Sequence, residues 1–230
     1  MELGIRLNKI ASMVDSCECV ADIGTDHAYI PIFLVEGKIC NRAIASDINY
    51  GPVKKAENNV KNHHLENKID CRQGAGLRTI NIGEAQSAII AGMGGNLIRD
   101  IIEESMEIFK DLSTVILQPV QNPEVLRQYI YNSGYNILAE ELCYEEGKYY
   151  EIIKISYSKN YREMEPIFYE ISEKLIEKKH PLIKQYISYK LNKYSKIYNN
   201  INEITETALA RKKELRYKIE KLEELQKLCL

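Results

Sequence analysis

The chain has 230 residues, of which 45% are hydrophobic and 28% charged, so it can bury its own core and is neither a disulfide-stapled mini-protein nor a disordered tail. No apolar stretch approaches the roughly 20 residues of a membrane-spanning helix, and charged side chains interrupt the first turns, where a secretory signal would be apolar. We therefore expect one large or two smaller domains in the cytoplasm, with no membrane contact.

The net charge of −2 conceals two oppositely charged parts. Residues 1–157 hold 15 Lys/Arg and 22 Asp/Glu, a net of −7, whereas residues 158–230 hold 16 and 11, a net of +5. A basic segment beside an acidic one is typical of nucleic-acid binding, although a solvated helical surface gives the same count. We predict two domains, 1–157 and 158–230.

In the first domain, short apolar runs alternate with amphipathic helical patterns, the order of a parallel sheet with crossover helices. We predict five parallel strands at residues 19–23, 42–47, 68–73, 87–91 and 114–118. Helical patterns lie between them at residues 29–36, 52–63, 97–108 and 123–132. The fold class is therefore α/β, with a doubly wound, Rossmann-like sheet.

Two extended runs follow, at residues 136–143 and 149–157, joined by a short turn containing Gly147. This pattern predicts an antiparallel hairpin. Ordinary dinucleotide-binding folds end with a sixth parallel strand, whereas the methyltransferase variant of the sheet ends with an antiparallel insertion. By this analogy of fold, the hairpin favours a methyltransferase.

The pattern of the remaining sequence predicts long helices at residues 181–200 and 203–228. Two apolar stripes at heptad spacing predict a helical coiled-coil hairpin: Ile187, Leu191, Tyr194, Tyr198 and Ile201 form one, and Leu215, Ile219, Leu222, Leu225 and Leu228 form the other. These stripes indicate a core, so function would lie on outward lysines and arginines, such as Arg211, Lys212 and Lys213.

The six cysteines contain no C-x-x-C pair, and His63 and His64 have no ligand cluster at metal-binding spacing. We expect no metal site. In a reducing compartment the thiols are small core hydrophobes or surface bystanders.

The most informative run spans residues 20–28, where the first strand ends and the first crossover helix begins. A pyrophosphate site needs glycines at the second and third fingerprint positions, where this chain has Asp26 and Tyr29. A carboxylate repels phosphate but can receive an ammonium group, which favours a cationic, phosphate-free nucleoside such as S-adenosylmethionine. Alternatively, Asp26 is simply the N-cap of the helix.

Further polar and glycine residues follow the next strands. Asp47 ends the second strand, about where an acidic residue meets ribose hydroxyls. Glycines follow the third and fourth strands, at 74–76 and 92–95. Because ligands of open parallel sheets bind outside the carboxyl ends of the strands, we expect these loops to converge on one pocket.

The motifs 22–31 (DIGTDHAYIP), 45–47 (ASD), 73–77 (QGAGL), 90–95 (IAGMGG) and 117–119 (LQP) together resemble a known family. It is the bacterial tRNA (adenine(22)-N1)-methyltransferases of the TrmK type, class I enzymes that join a Rossmann-like domain to a carboxy-terminal coiled coil. The resemblance covers residues 5–157 in order, and the helical tail matches in kind and length rather than by motif.

The resemblance implies S-adenosylmethionine as cofactor and tRNA adenine as methyl acceptor. Its cofactor-binding residues would be Asp22, Gly24, Asp26, His27, Asp47, Ile48, Gln73, Gly74, Ala75, Gly92, Met93, Gly94 and Gly95. Substrate-binding candidates are Tyr29, Gln118, Pro119, Arg211, Lys212 and Lys213, and catalytic candidates are Asp26 and His27. We expect a monomer, although the coiled coil could self-associate.

Many amino-methylating enzymes of this fold carry an Asn/Asp-Pro-Pro-Tyr/Phe motif after the fourth strand, where this chain has Ala91-Gly92-Met93-Gly94. The difference argues against methylation of the exocyclic amine. It leaves Tyr29, His27 and Tyr50 as candidates to stack on the base. Adenine N1 carries an in-plane lone pair that can attack the methyl group directly, so we expect no general base.

Two alternatives stay open on the sequence. One is a methyltransferase that acts on another RNA site or on a small molecule. The other is a non-catalytic nucleoside-binding module whose coiled coil recruits a protein partner.

Overall fold

The structure is a computed structural model that describes residues 2–228. It divides into two compact units, Met1–Glu163 and Met164–Leu230, so the first unit extends somewhat beyond the predicted boundary at residue 157. The functions assigned to the two parts stay predictions.

The first unit contains a seven-stranded sheet in the order β3-β2-β1-β4-β5-β7-β6. Its strands are β1 (Cys17–Ile23), β2 (Cys40–Asp47), β3 (Ile69–Gln73), β4 (Ser87–Gly94), β5 (Thr114–Gln121), β6 (Asn136–Glu145) and β7 (Lys148–Ser156). Its helices are α1 (Ile5–Ala11), α2 (Tyr29–Glu36), α3 (Tyr50–Asn62), α4 (Gly95–Glu104), α5 (Met106–Asp111) and α6 (Pro123–Asn132), with a 3-10 turn at Gly76–Thr79.

The strand pairing confirms the predicted fold class. Strands β1 to β5 run parallel, with Ala21 opposite Ile44 on one side and Ala88 on the other. The hairpin of β6 and β7 is antiparallel, and β7 inserts beside β5, with Leu117 opposite Ile153. This insertion distinguishes the sheet from one that ends in a sixth parallel strand.

Two helical predictions need correction. The helix predicted over residues 97–108 is two helices, α4 and α5, because the backbone of Ser105 leaves the helical region at φ −136° and ψ 41°. The amphipathic stripe runs through this break, since Ile102 and Phe109 are both buried, and therefore conceals it. Helix α1 was not predicted at all.

The centre of the sheet is apolar on both faces. Ile89 and Ile116 lie on one face of β4 and β5, Ile90 and Leu117 lie on the other, and all four are fully buried. Short continuous apolar runs of this kind are typical of parallel strands covered by helices on both sides. The sheet is therefore a rigid support for whatever its carboxyl edge binds.

A buried ionic cluster joins α6 to the hairpin. The Arg127 guanidinium donates to Glu140 at 2.7 Å and to Glu151 at 2.6 Å, and all three side chains are buried. Burial alone would lower the pKa of Arg127, but the attraction of the two carboxylates outweighs it and raises the pKa. The cluster thus retains its charges in the interior.

The second unit is helical, with α7 (Ile167–Glu170), α8 (Glu173–Glu177), α9 (Ile183–Asn200) and α10 (Glu206–Leu228). Helices α9 and α10 contact each other. Leu215, Leu222 and Leu225 are buried as the stripe predicts, but Leu228 is 79% exposed, so the buried stripe ends one step earlier. A helical second part is confirmed, and its coiled-coil geometry stays a prediction.

Within residues 2–228 there is no group of three or more His, Cys, Asp or Glu side chains placed to hold a metal ion. The same residues form no helix with the length and apolar character that crossing a bilayer requires. The five described cysteines are free thiols, of which Cys19, Cys40 and Cys143 are buried; Cys229 lies outside the described residues.

Candidate active site

The loop after β1 is fixed to the end of β2 by two hydrogen bonds. The amides of Gly24 and Thr25 both donate to the carbonyl oxygen of Ser46, each at 2.8 Å. Gly24 has φ +78°, a left-handed conformation that glycine adopts without strain. The chain therefore turns sharply at the sheet edge and leaves a depression above β1.

Helix α2 begins without the predicted acidic cap. Its N-cap residue is Ala28, at φ 54°, and the Ala28 amide donates to the hydroxyl of Thr25 at 3.0 Å. The interpretation of Asp26 as the N-cap is wrong, because Thr25 accepts the local hydrogen bond instead. The Asp26 carboxylate is consequently left to other contacts.

A pocket of about 340 Å³ opens at this edge of the sheet. Its walls come from α1, from the end of β1 and the loop after it, from the start of α2 and from the end of β4. The lining residues are Arg6, Leu7, Asp22, Gly24, Thr25, Asp26, His27, Tyr29, Ile30, Ala91 and Gly92. The structure therefore brings together Asp22, Gly24, Asp26, His27, Tyr29 and Gly92 of the predicted site.

Asp22 is the buried acid of the pocket, with only 7% of its surface exposed. Burial raises the pKa of its carboxyl to about 6, although a hydrogen bond with Thr25 lowers it in part. A carboxylate in such surroundings is stabilised by a nearby positive charge. Asp22 therefore fits the cationic amino-acid end of S-adenosylmethionine better than it fits a phosphate.

Asp26 lies at the outer rim, with 65% of its side chain exposed. One carboxylate oxygen is 3.2 Å from Nε2 of His27, and the other is 3.3 Å from Nζ of Lys55. The His27 and Tyr29 rings stack with centroids 5.0 Å apart and an interplanar angle of 12°. The rim thus joins a carboxylate to a flat aromatic surface.

The residues after β2 and β3 form a second cluster beside this pocket. The Asp47 carboxylate accepts from the Asn49 amide at 2.7 Å, and the Asp47 carbonyl accepts from the Gly74 amide at 3.0 Å. Gln73 donates to the carbonyl of Ile48 at 3.2 Å. These residues, and Ala75 after them, lie on the same sheet edge but outside the walls of the pocket.

One glycine is sterically required where β4 passes into α4. A Cβ on Gly95 would lie 2.4 Å from the carbonyl oxygen of Asn122, so α4 can approach the chain before α6 only with glycine there. The Met93 side chain lies across Gly24, since its Cε would be 2.1 Å from a Cβ at that position. Gly94 is the N-cap of α4.

Other predicted residues do not line the pocket. Gln118 and Pro119 are buried at the end of β5, with the Gln118 amide donating to the Pro119 carbonyl at 2.9 Å. Tyr50 is 65% exposed and does not line the pocket. Arg211, Lys212 and Lys213 belong to α10, in the second unit.

The sequence reasoning missed Arg6 and Leu7, which reach the pocket from α1. A signal was present, because Leu7, Ile10 and Ala11 follow the i, i+3, i+4 spacing of an amphipathic helix. Thr25 was also missed, although a hydroxyl three residues before a helix-start amide is a common local acceptor.

The chain is similar to proteins of known family. A family model described as TrmK, tRNA (adenine(22)-N(1))-methyltransferase, matches residues 20–224. The curated tRNA (adenine(22)-N(1))-methyltransferase of Bacillus subtilis is 37% identical over 153 residues, which are 66% of this chain and 64% of that protein. The aligned segment is thus slightly under two thirds of the B. subtilis protein.

Solved structures match over nearly the whole chain. A Streptococcus pneumoniae protein solved with S-adenosyl-L-methionine has a TM-score of 0.86 and 30% identity, covering 98% of this chain and 100% of that one. TrmK of M. capricolum, solved with S-adenosyl-homocysteine, has a TM-score of 0.85 and 29% identity, covering 98% and 99%.

The buried Asp22 carboxyl predicts a pH-dependent stability. Because its pKa is raised from 3.8 to about 6 on folding, the folded chain loses stability as pH rises between these values. Asp22→Asn removes this loss. Urea unfolding at each pH gives the difference in free energy of unfolding between Asp22→Asn and the unmodified protein. From pH 4 to pH 7 this difference should grow in favour of the variant by up to about 3 kcal/mol.

The matched control is Asn58→Gln, an exposed substitution on α3 that changes no titratable group. Its difference from the unmodified protein should stay constant over the same range. An Asp22→Asn difference that is equally constant would contradict the raised pKa.

Proposed function

The chain belongs to the TrmK family of tRNA (adenine(22)-N(1))-methyltransferases, and from this membership we infer that it methylates N1 of adenine 22 in tRNA with S-adenosylmethionine as the methyl donor. The structural observation that carries the proposal is the buried Asp22 carboxylate in a glycine-lined pocket at the carboxyl edge of the sheet. Such a pocket accepts a cationic nucleoside and repels a pyrophosphate.

The residues that would hold the donor lie at the carboxyl ends of β1 to β4 and directly after them. Asp22 and Asp26 supply negative charge, and Asp47 supplies a carboxylate for ribose hydroxyls beside the Gln73 side chain. The remaining contacts would come from the backbone at Gly24, Gly74, Ala75, Gly92, Gly94 and Gly95, and from the larger side chains of His27, Ile48 and Met93. When bound, S-adenosylmethionine supplies a methyl group on a positively charged sulfur.

The proposed methyl transfer does not require a general base. Adenine N1 has an unshared pair in the ring plane and is unprotonated near pH 7, so no residue has to remove a proton first. The chain has to align the base, and to stabilise a ring that becomes positively charged. Asp26, exposed beside the stacked His27 and Tyr29, is our candidate for the second task.

The second unit is the proposed RNA-binding part of the chain. The part of the chain after residue 157 has a net charge of +5, and Arg211 and Lys213 are exposed on α10. Lys212 lies over the Tyr198 ring at 5.5 Å. Positive side chains on a helix surface bind folded RNA through its phosphates, without reading the bases.

Product analysis tests the proposed function directly. The purified protein, given S-adenosylmethionine and an unmodified tRNA transcript with adenine at position 22, should produce S-adenosylhomocysteine and N1-methyladenine, detected by nucleoside mass spectrometry. A transcript with guanine at position 22 is the control and should give neither product. S-adenosylhomocysteine formed with an RNA-free extract of small molecules in place of tRNA would indicate a small-molecule enzyme, no turnover with either acceptor a binding module, and N6-methyladenine an attack by the exocyclic amine.

Asp26→Asn tests the electrostatic stabilisation. The variant should keep its fold, and methyl transfer in a single turnover at saturating S-adenosylmethionine should slow by about 10-fold or more, because the amide carries no negative charge. Asp15→Asn, at the opposite end of β1, is the matched control, since Asp15 also pairs with a lysine, Lys154, at 2.6 Å. Unchanged transfer by Asp26→Asn would exclude Asp26 from this task.

Charge reversal tests whether α10 binds RNA. Changing Arg211, Lys212 and Lys213 to Glu should leave cofactor affinity unchanged, weaken tRNA binding by at least about 10-fold, and flatten its dependence on salt. The control reverses Lys38, Arg42 and Lys68, which lie at the opposite edge of the sheet from the pocket. Equal effects of the two triple variants would argue against a specific contribution of α10.

A further inference from the structure

Arg6 is the one lysine or arginine among the described residues that line the pocket. Its Nη1 donates to Oε1 of Gln118 at 2.8 Å, and its guanidinium lies over the Tyr150 ring, 5.4 Å from the centroid. The same nitrogen is 4.0 Å from the place that a Cβ on Gly92 would take. The cation is therefore held at the wall formed by the end of β4.

The pocket is otherwise negatively charged, because Asp22 and Asp26 line it on the side of β1. These carboxylates suit the sulfonium and ammonium groups of S-adenosylmethionine but repel its carboxylate. A ligand with both charges needs a pocket that separates them, with a cation on the wall away from the acids. Arg6 is placed on such a wall.

We propose that Arg6 binds the carboxylate of the amino-acid end of S-adenosylmethionine, an assignment that rests on the proposed function. A guanidinium has five N–H donors in a planar fork and donates one to Gln118, so the others can meet a carboxylate. Arg6 thus fixes which way the amino-acid end lies, and with it the direction of the methyl group.

Gln118 acts through Arg6 as a positioning residue. It is fully buried, its Oε1 accepts from Arg6 and its Nε2 donates to the carbonyl of Pro119. Because both ends of this amide are used inside the protein, its orientation is set. The Arg6 guanidinium is consequently oriented before any ligand arrives, which lowers the entropic cost of binding.

Calorimetry with two ligands that differ by one group tests the assignment. S-adenosylmethionine and its decarboxylated form share the sulfonium and the amine, and only the first has the carboxylate. Arg6→Met should weaken S-adenosylmethionine about 10- to 100-fold and the decarboxylated form less than about threefold. Arg6→Lys retains the charge but not the planar fork of donors. Its affinity for S-adenosylmethionine should lie between that of the unmodified protein and that of Arg6→Met. Lys9→Met, on the same helix and paired with Glu141 at 3.3 Å, should bind both like the unmodified protein.

Equal weakening of both ligands by Arg6→Met, or no weakening of either, would overturn the assignment, as would a loss confined to tRNA affinity. If Arg6→Met does not fold, Arg6→Gln, which can still donate to Gln118, gives the same comparison. Failure of the unmodified protein to bind S-adenosylmethionine would overturn the proposed function itself, and this result is separate from any behaviour of the variants.

Discussion

The carbonyl oxygen of Ser46 accepts two successive amides, Gly24 and Thr25, and the geometry of the site depends on this contact. It closes the turn after β1 against the end of β2, so that Asp22 stays buried while Asp26 projects at the rim. It also requires a left-handed residue at position 24. One backbone interaction therefore separates two nearby aspartates into different environments.

The buried charges of the protein fall into two kinds. Arg127 lies between two carboxylates, and Glu170 lies against Lys190 at 3.2 Å. Burial would raise the pKa of Glu170, but attraction to Lys190 and further hydrogen bonds lower it to about 2. Asp22 is the opposite case, since burial dominates and raises its pKa. Removing one partner of a buried pair would leave an uncompensated charge and destabilise the fold, whereas the perturbed Asp22 identifies the place for a ligand.

The sequence predicted those features that depend on local pattern. The strands after residue 16 and the β6–β7 hairpin follow from apolar runs and turns, and the start of α2 at Tyr29 was predicted to the residue. Features that depend on distant contacts were not predictable. Arg6 contacts Gln118 across 112 residues of sequence, and no local pattern around either residue indicates this contact. The alternative interpretation of Asp26 as the cap of α2 was wrong because a hydroxyl, not the more obvious carboxylate, meets the Ala28 amide.

The contact between Arg6 and Gln118 also has a consequence for biosynthesis. Helix α1 leaves the ribosome early, but Gln118 and Tyr150, which hold its arginine, are made after most of the sheet. Until then the wall of the pocket beside β4 has no fixed cation. The nascent chain therefore cannot hold Arg6 in this position before Gln118 and Tyr150 have been synthesised. The fixed position of this cation is a property of the finished sheet, and not of the helix that carries the arginine.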